Sequence, residues 1–146
     1  MTLEISSMMT KQIETIEGSA SVQESAKKMK NKNVSSLVVV DDECKPQGLV
    51  TERDLVRKAC VKNTQMSVIS NKEIMSSPII SIDSTSSASE AIDKMLQYNI
   101  RHLMVVDKND ANKPVGIITP LDLRDEEFTD EGLKNAIREL SKYFRL

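Results

Sequence analysis

Aromatic side chains are scarce in this chain. Its 146 residues include two tyrosines, two phenylalanines and no tryptophan. Because proteins that bind single-stranded nucleic acids stack bases on aromatic rings, sequence-specific RNA binding is not expected. The formal net charge of -2 provides no overall basic field for DNA or an anionic membrane. The lysines at 27–32 fit the solvated face of an amphipathic helix, so we expect neither a nucleic acid nor a membrane partner.

Histidine and cysteine are also rare. The chain has one histidine and two cysteines, and Cys44 and Cys60 form neither a CxxC pair nor a cysteine–histidine cluster. No serine or cysteine has the base and orienting group that nucleophilic catalysis needs. No apolar run approaches the roughly 18 residues of a membrane helix. We therefore expect a cytoplasmic protein that is not an enzyme, has no metal site and requires no cofactor.

The most informative feature that is present is an internal repeat. With an offset of 66 residues, positions 9–41 align with positions 75–107 and twelve of them are identical. The identical pairs are Met9/Met75, Ile13/Ile79, Ile16/Ile82, Ser21/Ser87, Glu24/Glu90, Lys28/Lys94, Met29/Met95, Asn33/Asn99, Leu37/Leu103, Val39/Val105, Val40/Val106 and Asp41/Asp107. After a two-residue insertion, GLVTERDL at 48–55 matches GIITPLDL at 116–123. The chain is therefore a tandem duplication, and two copies favour a closed pair with one core over a solenoid.

Both copies predict the same order of elements. The pairs Ser21/Glu24 and Ser87/Glu90 are capping boxes that begin helices. Short β-branched runs follow, as expected of strands covered on both faces, and each second strand leads directly into another helix. The runs are at 37–40 and 103–106, and the second strands are at 48–50 and 116–118. This order, β-α-β-β-α in each copy, predicts an α+β fold.

The chain divides into four predicted parts. The first copy occupies residues 8–62, a polar linker 63–71 and the second copy 72–125. Residues 128–146 are predicted to form a C-terminal helix, with Thr129 as its N-cap. Its apolar stripe consists of Leu133, Ile137, Leu140 and Phe144. Because an isolated helix of this length is marginal in water, we expect it to dock on the module or at a dimer interface.

The pattern G-h-h-T-x-x-D, in which h is an apolar residue, occurs once in each copy. A helix that begins at Thr51 or Thr119 exposes backbone N–H donors that attract anions. Asp54 or Asp122, three residues later, can accept hydrogen bonds from the hydroxyls of a ribose. The same pairs are also ordinary capping arrangements that need no ligand. Their repetition at the same place favours two nucleoside sites, or one site and its relic.

These motifs, with LVVVD at 37–41 and LMVVD at 103–107, resemble those of tandem CBS (cystathionine beta-synthase) domains of the stand-alone prokaryotic type. The resemblance covers residues from about 8 to 125. It implies two repeats packed through their sheets about a pseudo-two-fold axis. It also implies a regulatory module with AMP, ADP or ATP in one or both clefts, although some members bind S-adenosyl ligands or NAD.

The resemblance also implies roles for individual residues. Asp122 and Asp54 would bind ribose, and Thr119 and Thr51 would lie near the sugar or the first phosphate. The Asp122 cleft is expected to be the better site, because Arg101 and His102 can contact phosphate where the first copy has serines. Its other wall would comprise Thr10, Lys11, Ile13, Val34, Ser35 and Ser36. The second cleft, at Asp54, would include Pro78, Ile79 and Ile100, with Arg53 beside it. Lys11 and Arg53 can each contact a phosphate, and the alternative for both is a solvated side chain on the surface.

The partners follow from the same resemblance. A magnesium ion can accompany the nucleotide phosphates. A partner protein, whose identity the sequence does not reveal, would receive the signal. The module is expected to form a homodimer through exposed helix faces, with Leu55, Val56, Ala59 and Leu123 as candidate contacts. The alternative is a structural dimerisation or interaction protein whose clefts are empty.

Overall fold

The computed structural model describes residues 3–146, which divide into two compact units. The first unit is Ile13–Ile80. The second unit combines the described residues up to Gln12 with Ser81–Leu146. The predicted boundaries lie at the ends of the sequence copies, whereas the boundaries of the compact units lie after Gln12 and after Ile80. The short segment before each copy thus belongs to the unit that contains the other copy.

The first unit is built on a three-stranded sheet. Its elements are β1 (Thr15–Glu17), α1 (Val22–Lys32), β2 (Ser36–Val40), β3 (Pro46–Thr51), α2 (Glu52–Asp54) with its π-helical continuation Leu55–Ala59, a 3₁₀ turn (Met66–Val68) and α3 (Asn71–Ile74). The sheet order is β1-β2-β3, with β1 parallel and β3 antiparallel to β2.

The second unit repeats this plan. It comprises a 3₁₀ turn (Ile5–Ser7), β4 (Ser81–Asp83), α4 (Ala88–Tyr98), β5 (Leu103–Asp107), β6 (Asp110–Ile118), α5 (Pro120–Arg124) and α6 (Glu131–Tyr143). Its sheet order is β4-β5-β6, again with one parallel and one antiparallel pair. The predicted α+β class and the β-α-β-β-α order are confirmed.

Local sequence explains where the long helices begin and end. Both predicted capping boxes are formed, with Ser21 and Ser87 as N-caps and Glu24 and Glu90 closing them. Asn33 and Asn99 end α1 and α4 in the left-handed conformation, with φ of 54° and 52°. Asparagine tolerates this conformation better than most residues, which explains the asparagine at this position in both copies.

The central strands carry the cores of the two units. All residues of β2 after Ser36 are buried, as are the first four residues of β5. This confirms the prediction of strands covered on both faces. In the first unit the buried cluster comprises Val22, Met29, Leu37, Val39, Val50, Leu55, Ala59, Ile69 and Ile74.

The segment that precedes each copy is attached by matching backbone hydrogen bonds. In the first unit, Asn71 N–H donates to the Ala20 carbonyl at 2.9 Å and Lys72 N–H to Gly18 at 2.9 Å. In the second unit the equivalent bonds run from Ile5 to Ser86 at 2.8 Å and from Ser6 to Ser84 at 3.0 Å. Residues 63–71, predicted as a linker, thus include buried residues: Ile69 and Asn71 are 3% and 0% exposed.

The C-terminal helix α6 packs on α4 and α5 of the second unit. Ile137 and Leu140 of the predicted stripe are buried. The predicted N-cap, Thr129, is wrong by one residue. Asp130 is the cap, because its carboxylate accepts a hydrogen bond from Leu133 N–H at 2.7 Å.

Three of the four residues predicted as dimer contacts are wrong. Leu55, Ala59 and Leu123 are buried inside their own units, and only Val56 of the four candidates is exposed. Their apolar side chains complete the core of a unit and cannot form an external contact surface. Among residues 3–146, none of the helices combines the length and the hydropathy that a membrane crossing requires.

Candidate functional site

Asp122 and Thr119 meet where β6 ends and α5 begins. Thr119 is the N-cap of α5, and its N–H donates to Asp122 Oδ2 at 2.9 Å. The Thr119 hydroxyl donates to the same oxygen at 3.3 Å. Both residues are half-buried. The predicted Thr-x-x-Asp arrangement therefore forms, with one carboxylate oxygen held by the cap.

Burial raises the pKa of Asp122 above its ordinary value. Hydrogen bonds from Thr119 and from the hydroxyl of Thr10 oppose this increase, and the nearby negative charge of Asp125 adds to it. Desolvation is the largest of these effects. Asp122 is thus a partly desolvated acceptor whose ionised form would be stabilised by additional hydrogen-bond donors.

A glycine brings the N-terminal segment close to this carboxylate. Thr10 and Ile117 of β6 exchange two backbone hydrogen bonds of 2.9 Å. A Cβ atom added to Gly116 would lie 2.9 Å from the Thr10 carbonyl oxygen and in contact with Met9 Sδ. Only glycine permits this approach, which explains why the G-h-h-T-x-x-D pattern begins with glycine.

Arg101 and His102 lie at the same end of the second sheet. They immediately precede β5, whose first residue, Leu103, pairs with Ile118 in β6. Because Thr119 follows Ile118, the two basic side chains and the cap of α5 share one sheet end. Arg101 and His102 are half-buried, and Lys11 beside Thr10 is exposed.

The equivalent carboxylate in the first unit, that of Asp54, has different hydrogen-bond and ion-pair partners. Thr51 N–H donates to Asp54 Oδ2 at 3.0 Å, and Asp54 N–H donates to Thr51 Oγ1 at 3.2 Å. The other carboxylate oxygen, Oδ1, lies 3.2 Å from Lys58 Nζ. The same nitrogen donates to the Ile74 carbonyl at 3.2 Å. Both oxygens of Asp54 therefore have partners within the unit.

The first unit contains most of the remaining predicted residues. Ser36 pairs with Thr51, and the Ser35 carbonyl accepts a hydrogen bond from Glu52 N–H at 3.0 Å. Val34 is half-buried and packs on the core of the first unit. Arg53 is exposed, as is Pro78, while Ile79 is half-buried.

Several of the predicted ligand contacts at one cleft involve residues that belong to different units. Val34–Ser36 and Ile13 belong to the first unit, whereas Asp122 belongs to the second. Ile100 belongs to the second unit and was assigned to the Asp54 cleft. Their contacts with a shared ligand remain predictions.

Sequence reasoning missed Lys58. Its pairing with Asp54 has a signal in the sequence, because opposite charges four residues apart meet on one face of a helix. The equivalent position in the second copy, with the 68-residue offset of this segment, is Glu126. The two Thr-x-x-Asp motifs therefore have opposite charges at this neighbouring position.

Two cavities in the second unit lie along α6. One of about 470 Å³ is lined by residues of α5, α6 and their connection, including Leu123 and Ile137. Another of about 570 Å³ lies between the first turns of α4 and α6, with Ala88 and Leu133 in its wall. Neither includes Asp122, so the candidate site rests on its polar groups and not on these cavities.

Comparison with known proteins agrees with this duplicated architecture. A family model described as the CBS domain matches residues 5–60 and 72–128. The uncharacterized protein MK0525 of Methanopyrus kandleri is 35% identical over 100 residues, which cover 68% of this chain and 50% of that protein. This chain thus spans only half the length of that relative.

Two solved structures are similar over most of the chain. CBS domain protein PAE2072 from Pyrobaculum aerophilum, complexed with AMP, has a TM-score of 0.76 and 25% identity, covering 96% of this chain and 99% of that one. The CBS domain pair of protein MJ0100, in complex with 5′-methylthioadenosine and S-adenosyl-L-methionine, has a TM-score of 0.74 and 28% identity, covering 85% and 94%. With both halves matched by the family model, the chain belongs to the CBS domain family.

Proposed function

We propose that this chain is a regulatory module that binds an adenine nucleotide at Asp122. The observation that carries the proposal is the state of the Asp122 carboxylate. Thr119 and Thr10 partly compensate its burial, yet its pKa is still raised. The two vicinal hydroxyls of a ribose would supply the additional donors that favour the ionised carboxylate. Perturbed carboxylates of this kind are typical of functional sites.

The surroundings of Asp122 favour a ligand with phosphate. Arg101 and His102 lie at the sheet end that bears Thr119, and Lys11 follows Thr10. A guanidinium group can bind phosphate oxygens through two parallel hydrogen bonds. The same cations would repel the positive sulfonium of S-adenosylmethionine, so we favour AMP, ADP or ATP. A magnesium ion can accompany the phosphates of ADP or ATP.

The comparisons support an adenosine-containing ligand. PAE2072 was solved with AMP, and MJ0100 with two ligands that each contain an adenosyl group. Both proteins are at least 25% identical to this chain and match most of its length. An S-adenosyl ligand is therefore the second candidate, and NAD shares the same adenosine.

The route by which binding affects a partner would run through α5. This five-residue helix contains Asp122 and, next to it, the fully buried Leu123. α5 packs on α6, so a ligand that fixes α5 would also stabilise the docking of α6. We propose that the partner protein contacts the surface containing α6, and that the module acts as a homodimer in the cytoplasm.

Thermal melting with AMP, ADP, ATP, NAD and S-adenosylmethionine tests the proposal. A ligand at a hundred times its dissociation constant adds about 2.7 kcal/mol to the free energy of unfolding. For a chain of this size the melting temperature should rise by about 5–10 °C. AMP, ADP or ATP should give the largest increase, and Asp122→Ala should abolish it.

If none of the five ligands raises the melting temperature, nucleotide sensing is contradicted. The alternative function, an interaction protein with empty clefts, would then be favoured. A larger increase with S-adenosylmethionine than with the nucleotides would contradict the role given to the cations near Asp122.

A further inference from the structure

The Asp54 carboxylate pairs with a lysine of the same helical segment, Lys58. Lys58 Nζ lies 3.2 Å from Asp54 Oδ1, and the Thr51 amide donates to Oδ2. The Lys58 ammonium is also held by the Ile74 carbonyl. Within the first unit, the oxygen that a ribose hydroxyl would approach is therefore already hydrogen-bonded.

The two copies differ here in both sequence and helix geometry. In the first unit the chain remains helical through Ala59, which brings Lys58 over Asp54 at i,i+4 spacing. In the second unit α5 ends at Arg124, and Glu126 occupies the equivalent place in the sequence. The lysine that pairs with Asp54 thus has no lysine counterpart at the equivalent position of the second copy.

We infer that Lys58 closes the Asp54 site, so that the chain binds one adenine nucleotide, at Asp122. This inference rests on the proposed function for the identity of the ligand. Lys58 contacts the carboxylate itself, where the sugar would bind, and its second bond to Ile74 fixes it there. A nucleotide at Asp54 would first have to displace both interactions. A half-exposed ion pair alone accounts for about a fivefold loss in affinity.

The test is a calorimetric titration with AMP of the wild-type protein, Lys58→Met and Lys58→Met/Asp54→Ala. Methionine keeps most of the length of the lysine side chain and removes its charged group. We expect one AMP per wild-type chain and a second, weaker AMP in Lys58→Met that disappears in the double variant. Lys58→Gln serves as a second substitution if Lys58→Met is poorly folded. Arg57→Met, which removes an exposed positive charge from the adjacent position, should still bind one AMP.

An Asp122→Ala background isolates the Asp54 site. There, Lys58→Met should produce measurable AMP binding, which Asp122→Ala alone should lack. No binding by the Asp122→Ala/Lys58→Met variant would overturn the inference, because removal of Lys58 would then not open the Asp54 site.

The outcomes separate the inference from the proposed function. One AMP bound by both the wild type and Lys58→Met overturns the inference and keeps the function. No AMP bound by the wild type, but one bound by Lys58→Met and lost with Asp54→Ala, overturns the site at Asp122 and keeps the role of Lys58 in closing the Asp54 site. No binding by any variant contradicts both.

Discussion

At the scale of single residues, Asp122 combines a cost in stability with a proposed role in binding. Its pKa is raised by burial, so the ionised side chain is less favourable in the folded protein than in the unfolded chain. The stabilisation that the protonated Asp122 side chain provides is complete below the unfolded-state pKa, near 3.9. It is lost as the pH rises through the raised folded-state pKa. At neutral pH the protein without ligand is therefore destabilised by the partly buried charge of Asp122.

We predict that Asp122→Asn raises the melting temperature of the apo protein at pH 7 and abolishes its increase with AMP. Asparagine keeps an acceptor for the Thr119 amide and removes the charge. The difference from wild type should vanish as the pH falls towards 4, where Asp122 becomes protonated. Melting curves from pH 4 to 8 measure this. A variant less stable than wild type at pH 7 would contradict the prediction.

Asp54→Asn is the matched control. It breaks the pair with Lys58, so the apo protein should not gain stability at pH 7. Its increase in melting temperature with AMP should persist, because the proposed binding site is at Asp122.

Part of this site could be predicted from the sequence. The Thr-x-x-Asp pairs are local, because a helix start fixes the distance between its cap and the residue three positions later. Thr10 was included among the predicted wall residues on the basis of family resemblance. Its hydrogen bond to Asp122 depends on Gly116, which admits a distant segment to the strand. No local pattern indicates how closely such a segment approaches.

A second prediction concerns Gly116 and Gly48, the glycines that begin the G-h-h-T-x-x-D pattern in the two copies. Gly116→Ala should displace the Met9–Thr10 segment and weaken AMP binding, because Thr10 would lose its position beside Asp122. Gly48→Ala is the matched control, since its Cβ would lie 2.5 Å from the Ser76 carbonyl in the first unit. Both variants should be destabilised, and only Gly116→Ala should bind AMP more weakly. Titration of the two folded variants measures the effect. Equal losses of affinity would contradict the assignment.

At the scale of elements, the periodic segments were predictable and their partners were not. The capping boxes, the buried central strands and the C-terminal helix follow from patterns within a few residues. The placement of residues 63–71 does not. Ile69 and Asn71 are buried in the first unit, and the equivalent role in the second unit belongs to residues at the start of the chain. Both segments precede similar strands, so the sequence alone does not reveal which copy each one covers.

The docking of α6 gives a third prediction. Leu140 is fully buried on the helix that packs on α5, so Leu140→Ala should reduce the free energy of unfolding by about 2–5 kcal/mol. If α6 supports α5, the variant should also bind AMP more weakly, since coupling between two sites is reciprocal. Denaturant unfolding and titration measure the two effects. The exposed neighbour Glu139→Ala should change neither. Destabilisation with unchanged AMP affinity would show that α6 does not communicate with Asp122.

At the scale of the whole molecule, the two copies have kept one architecture and diverged in their sites. Each has the same sheet order and the same backbone attachment of a preceding segment. The second copy has Arg101, His102 and the C-terminal helix beside its Thr-x-x-Asp motif, while the first has Lys58 paired with its aspartate. Duplication therefore accounts for the fold, and divergence for the proposed single site.

The most direct test of the central claim is a titration of three proteins with AMP: wild type, Asp122→Ala and Asp54→Ala. We predict one AMP per chain for the wild type, the same stoichiometry and similar affinity for Asp54→Ala, and no measurable binding for Asp122→Ala. Binding that survives in Asp122→Ala and is lost in Asp54→Ala would contradict the assignment of the nucleotide site to Asp122.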